Sequence, residues 1–182
     1  PELPDDKKKR FIEQYKLPEY DADILTSSKK LADFFEECVK YTDDAKSVSN
    51  IIMVEMLRLM NEKGVEIEGL KITPQHIGKL VNLVNKKTIS STAAKKVFDE
   101  MFTTGKDPDA IVKDRGLIQN SDTDFIKGIV LKVLSENQQS VADYKNGKDR
   151  ALGFLVGRVM KESKGKANPA IANRILKQEL SK

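Results

Sequence analysis

Tryptophan is absent from this chain of 182 residues, cysteine and histidine occur once each, and aromatic residues make up only 6%. The lone Cys38 excludes an internal disulfide and suits a reducing compartment. A thiol-rich metal site would need more cysteines or histidines than the chain has. Long apolar runs are missing as well. The nearest, Ile51–Met60, is interrupted by Glu55 and Arg58, well short of the roughly 20 apolar residues of a membrane span. It reads as a helix buried on most sides. The early charges lead into no apolar stretch of the kind a secretory signal needs. The start at Pro1 is read as a cut inside a longer protein. No P-loop and no dinucleotide fingerprint occurs.

What is present is 39% hydrophobic and 33% charged, a mixture of Lys, Glu, Leu, Ile and Val that suits helices in water. The net charge of +4 hides an asymmetry. Residues 1–118 hold 20 Lys and Arg against 21 Asp and Glu, whereas residues 119–182 hold 12 against 7. A localised basic segment points to an acidic partner. The other explanation is a solvated, Lys-rich helical surface.

Helix punctuation is frequent. Pro4 opens a helix to about Tyr15, Leu17-Pro18 breaks it, and Tyr20–Leu25 follows as a short helical turn. Ser27 or Ser28 caps a helix through Tyr41, with Leu31, Phe34, Phe35, Cys38 and Val39 on its apolar side. The next helix runs from about Asp44 to Lys63 and stops at Gly64. Val65–Ile72 reads as a connection, because the alternation at Val65 and Ile67 has no partner strand. Thr73-Pro74, Ser90-Ser91 and Asp107-Pro108 each start a helix. Gly116–Ser121 marks a domain boundary, with Ser121 capping a helix whose face is Phe125, Ile126, Ile129, Val130, Val133 and Leu134. A short helix near 138–146 ends at Gly147. A basic helix spans Lys148 to about Ser163, and Asn168-Pro169 starts the last one. The expected fold is all-α: a helical domain over 1–118 and a small helical tail domain over 119–182.

Few residues offer bond-making chemistry. His76 sits in the first turn of its helix, where the dipole disfavours imidazolium, and it lacks partners for a ligand or base role. Cys38 falls on an apolar stripe, as a small hydrophobe would. Capping accounts for Ser90-Ser91 without a nucleophile assisted by Lys95, and no Gly-rich oxyanion loop surrounds them. The acidic pairs Asp5/Asp6, Asp21/Asp23, Glu36/Glu37 and Asp43/Asp44 lack metal-ligand spacing. No catalytic, metal-binding or cofactor-binding residue is expected in this chain.

The most informative stretch is Arg150–Pro169. At 3.6 residues per turn, Leu152, Leu155, Val156 and Val159 share one side, while Arg150, Phe154, Arg158, Lys161 and Lys164 share the other. Gly157 lies among the basic residues and Gly153 beside them. A glycine in an exposed helix interior costs about 1 kcal/mol relative to alanine, so two of them call for a reason. Close approach of a phosphate backbone is one. Gly165-Lys166 before the helix start at Asn168 suggests a weak anion nest or a plain solvent loop. Phe154 either stacks on a base or lies against a neighbouring helix, and spacing alone does not choose. The expected RNA-binding set is Arg150, Phe154, Gly157, Arg158, Lys161, Lys164 and Lys166.

These residues resemble a known family. LPDDKKKRFIEQYKLPEY at Leu3–Tyr20 is similar to the start of the helical region in the B subunit of aspartyl/glutamyl-tRNA amidotransferases. Thr73-Pro74, Ile89–Thr92 leading into Phe98–Phe102, and Gly105–Pro108 are similar too. ALGFLVG at Ala151–Gly157 and KGKANP at Lys164–Pro169 are the most specific, and the resemblance covers essentially the whole chain. At Ser49–Met56 the family more often shows Trp in place of Ile51 and Gly in place of Val54.

The resemblance implies a cytoplasmic, heterotrimeric ligase of protein biosynthesis. It converts Glu-tRNA(Gln) to Gln-tRNA(Gln) and Asp-tRNA(Asn) to Asn-tRNA(Asn). The B subunit activates the misacylated carboxylate with ATP and Mg²⁺ in an N-terminal domain. Its partners are the A and C subunits, of which the former supplies ammonia from glutamine. This chain then corresponds to the helical domain and a YqeY-like tail, which in the family meets the tRNA elbow near the D-loop. The competing expectation is a helical protein-interaction scaffold without RNA contact.

Overall fold

Proline and acidic residues open the first helix, α1 (Pro4–Tyr15), with Pro4 at its first position and Asp5 and Asp6 in its first turn. The computed structural model describes residues 1–120 and 123–182. The expected cap at Ser121 lies outside the described residues. Lys16 adopts a left-handed conformation, φ 54°, and turns the chain into α2 (Glu19–Leu25). Ser28 caps α3 (Lys29–Cys38), its hydroxyl accepting from the Leu31 N–H at 3.1 Å. Among the described residues there is no strand, only one isolated parallel bridge between Asn120 and Ala167. The all-α expectation is met.

The chain divides into two compact units, Pro1–Gly116 and Leu117–Lys182. In the first, the helix expected from Asp44 to Lys63 forms, but not with one hydrogen-bond pattern. It runs as α4 (Ala45–Asn50), a π-helical segment over Ile51–Met56, and α5 (Leu57–Lys63), ending at Gly64 with φ 62°. Val65–Ile72 is a connection with a single 3₁₀ turn, Ile67–Gly69. Then come α6 (Pro74–Asn85), α7 (Ser91–Thr104) and α8 (Pro108–Asp114). Their caps are Thr73, Ser90 and Asp107, each with a side-chain oxygen accepting a first-turn N–H.

Phe11, Tyr15 and Phe35 meet at one end of this core with ring centroids 5.1–5.4 Å apart. Ile52, Met56, Leu80, Phe98 and Met101 are buried within the unit. Gly78 lets α6 close on the end of the α3 region. A β-carbon there would lie 2.5 Å from Cβ of Tyr41. Asn82 secures the approach, donating to the Tyr41 carbonyl at 3.0 Å and accepting from Thr42 Oγ1 at 2.8 Å.

The second unit contains α9 (Thr123–Glu136), α10 (Gln138–Lys145), α11 (Arg150–Glu162) and α12 (Pro169–Leu180). Its core joins Ile126, Val130 and Val133 of α9 to Leu155 and Val159 of α11 and to Ala172, Ile175, Leu176 and Leu180 of α12. Phe125, expected to face inward, is instead 42% exposed. The three buried residues of α9 already form a narrow inward stripe, and Phe125 falls at its edge.

Candidate nucleic-acid interface

Helix α11 buries Leu155 and Val159, with Leu152, Val156 and Met160 half-buried beside them. This anchoring turns the opposite side outward. Arg150, Gly153, Phe154, Gly157 and Lys161 are exposed, and Arg158 is half-buried. Phe154 is 51% exposed, so its ring is not buried in the core.

The loop after α11 has a defined shape. Lys164 and Gly165 are both left-handed, with φ 54° and 76°, a conformation glycine adopts freely and lysine rarely. Gly165 N–H donates to the Met160 carbonyl at 2.8 Å. Ser163 Oγ donates to the same carbonyl at 3.0 Å and accepts from the Ala167 N–H at 3.1 Å. Asn120 ties the loop to the entry of α9, donating to the Lys166 carbonyl and accepting from the Asn168 N–H. Asn168 then caps α12, accepting from the N–H groups of Ala170 and Ile171. These bonds leave the side chains of Lys164 and Lys166 exposed. The helix face and the loop thus present all seven expected residues on the surface of one unit.

Among the described residues, none of Arg150, Arg158, Lys161, Lys164 and Lys166 forms an ion pair. The one acid on this stretch, Glu162, binds Lys132 of α9 at 2.9 Å. That hydrogen bond and charge hold the Glu162 carboxyl below its ordinary value, with Arg158 and Lys161 adding to the effect. Charges left without partners on a surface are available to a polyanion.

The glycines separate into two kinds. A β-carbon on Gly153 or Gly157 would meet nothing within 4 Å, so no internal packing requires them. Gly78 in the first unit has the opposite surroundings. Sequence reasoning overlooked Gly128, which sits mid-helix in α9 with equally open surroundings. Its signal was the same: a helix-interior glycine between the exposed Phe125 and Leu131.

Bond-making groups are elsewhere or engaged. Cys38 is fully buried, and desolvation pushes its thiol far up. His76 completes a capping box, its Nδ1 accepting from the Thr73 N–H at 3.3 Å. Among the described residues, no three His, Cys, Asp or Glu side chains form a group that could hold a metal ion. The surface around α11 offers cations, an aromatic face and bare backbone, the means to bind phosphate and base.

Comparison with known proteins gives a consistent match. The GatB domain family covers residues 33–180. A protein of Caldicellulosiruptor bescii, named as the B subunit of an aspartyl/glutamyl-tRNA(Asn/Gln) amidotransferase, is 56% identical over 185 residues, spanning 100% of this chain and 38% of its own length. Proteins of the same name from Thermoanaerobacter sp. (strain X514) and Clostridium tetani are 56% and 48% identical, each over 100% of this chain and 38% of theirs. The chain therefore spans well under half the length of these relatives.

Proposed function

This chain belongs to the GatB domain family, and from that premise we propose that it is the tRNA-holding, C-terminal region of an amidotransferase B subunit. In this reading the basic face of α11 and its loop grip misacylated tRNA(Gln) or tRNA(Asn). The chemistry lies outside the chain. ATP and Mg²⁺ act in another domain of the same polypeptide, and the A and C subunits complete a cytoplasmic heterotrimer, the former supplying ammonia. The fragment itself neither hydrolyses glutamine nor consumes ATP. One observation carries the reading. Five cations without ion-pair partners among the described residues surround an exposed phenylalanine and two open helical glycines, on a fold with a core of its own.

Phosphate contacts release counterions, so log affinity falls linearly with log salt, by about 0.7–0.9 per contact. Titrating the chain with a tRNA(Gln) transcript at several salt concentrations measures that slope. Arg158→Gln and Lys161→Gln are expected to weaken binding and flatten the slope with the helical signal intact. Unchanged affinity and slope in both variants would favour the scaffold reading instead.

A further inference from the structure

Between Glu68 and Asp99 the chain has no acidic residue but six lysines. The near-neutral balance of residues 1–118 conceals this stretch. It comprises α6, the turn after it and the first part of α7. Lys79 is engaged by Asp107 at 2.7 Å, and Lys71 donates to the Thr103 carbonyl at 3.0 Å. The other four, Lys86, Lys87, Lys95 and Lys96, flank the α6–α7 turn, are exposed, and form no ion pair among the described residues.

Beside this turn a cavity of about 560 Å³ opens between the π-helical segment, α6 and α7. Its walls include Ile51, Val84 and Phe98; Asn50, Asn85, Lys95 and Glu55 also line it, the last paired with Arg58 at 3.1 Å. The volume is that of a small-ligand pocket, about 300–1,000 Å³. A π segment within an α-helix recurs at functional sites. Asn85 Nδ2 donates to Asp44 Oδ2 at 2.8 Å, which leaves its Oδ1 as an acceptor. The side chain of Asn50 makes no hydrogen bond among the described residues.

We infer that this cavity and the four lysines form a second RNA contact, taking one unpaired base with its flanking phosphates. The inference rests on the RNA-binding reading of the other unit. The apolar walls suit the faces of a base, and an asparagine amide matches a base edge because it carries both donor and acceptor. Unpaired nucleotides are where RNA exposes such edges. Acidic side chains would satisfy the lysines but would not fill the apolar walls that suit the face of a base.

The test uses the whole 182-residue chain and a tRNA(Gln) transcript, with thermal melts to confirm folding. Lys86→Gln combined with Lys95→Gln is expected to weaken binding about 5-fold or more and to lower the salt slope by about 1.4–1.8, two phosphate contacts' worth. Ser91→Trp puts a large side chain on the cavity lining from an exposed position that is not the helix cap. It is expected to weaken binding with the slope unchanged, because no phosphate contact is lost. Asn50→Ala, another exposed change, tests the base contact should the Trp variant fold poorly, and it too should weaken binding at constant slope. If the lysine variant leaves affinity and slope unchanged while Arg158→Gln and Lys161→Gln reduce both, the second contact is wrong and the first stands. If neither set changes binding, both readings fall. If the lysine variant loses binding to poly-L-glutamate but keeps it to tRNA, the surface belongs to an acidic protein and the inference is overturned.

Discussion

Gly78 and Gly157 both lie inside helices, and alanine is expected to act oppositely at the two. At Gly78 the new methyl would collide with Cβ of Tyr41, an atom fixed to the backbone. Such overpacking costs about 1–3 kcal/mol, so Gly78→Ala should lower the melting temperature. At Gly157 the methyl meets nothing within 4 Å, and alanine favours a helix by up to about 1 kcal/mol. Gly157→Ala should therefore hold or raise the melting temperature while weakening tRNA binding, because the methyl keeps a phosphate backbone at a distance. Melts and titrations on the two variants check this. A Gly157→Ala variant that melts lower would mean the glycine serves helix packing.

Helix α4 begins at a side chain that serves more than one partner. Asp44 caps it, accepting from the Ser47 N–H at 3.0 Å and Ser47 Oγ at 2.6 Å, and it also accepts from Asn85 of α6 at 2.8 Å. Burial works to raise its pKa, but the bonds from Ser47 and Asn85 outweigh burial and lower it. The sign follows from linkage. As pH falls, the unfolded chain takes up this proton first, near the ordinary aspartate value of about 3.9. The contribution to stability is present above that pH and is lost as pH falls through the lower folded value. Asn still serves as a cap, so Asp44→Asn should fold at neutral pH but lose less stability than the parent between about pH 5 and the acid limit. Denaturant unfolding at several pH values measures the difference. An identical acid slope in both proteins would show that the cap carries no such linkage.

On the scale of the whole chain, the positive excess and the α11 face belong to the Leu117–Lys182 unit. Its core draws on α9, α11 and α12, with Val141 and Tyr144 of α10 packed against it. A unit of this size buries proportionally little surface, yet residues 117–182 expressed alone are expected to stay helical and melt cooperatively. The isolated unit should also keep a salt-dependent affinity for tRNA, weaker than that of the whole chain if the α6–α7 contact contributes. Circular dichroism and the same titration check both points. An unfolded fragment would mean that its helices need the rest of the chain.

Where most helices begin was legible in the sequence, because an N-cap is satisfied within a few residues of itself, whereas α3 ends at Cys38 and not at the expected Tyr41. Thr73, Ser90, Asp107 and Asn168 cap as their spacing predicts, and of the two serines the sequence offered for α3 it is Ser28 that caps. The all-α class and the charge asymmetry follow from the same local information. Burial could not be read with that certainty, since it depends on which helix arrives from far along the chain. Phe125 and Phe154 both sit in amphipathic stretches, and only the packing of α9, α11 and α12 leaves both exposed. The π segment at Ile51–Met56 interrupts a helix that periodicity reads as uniform. The cavity beside α6 and α7 exists because side chains about 45 residues apart, Ile51 and Phe98 among them, line the same space. Local hydrogen bonding determined the elements; the meeting of distant apolar faces decided which side chains were left outside.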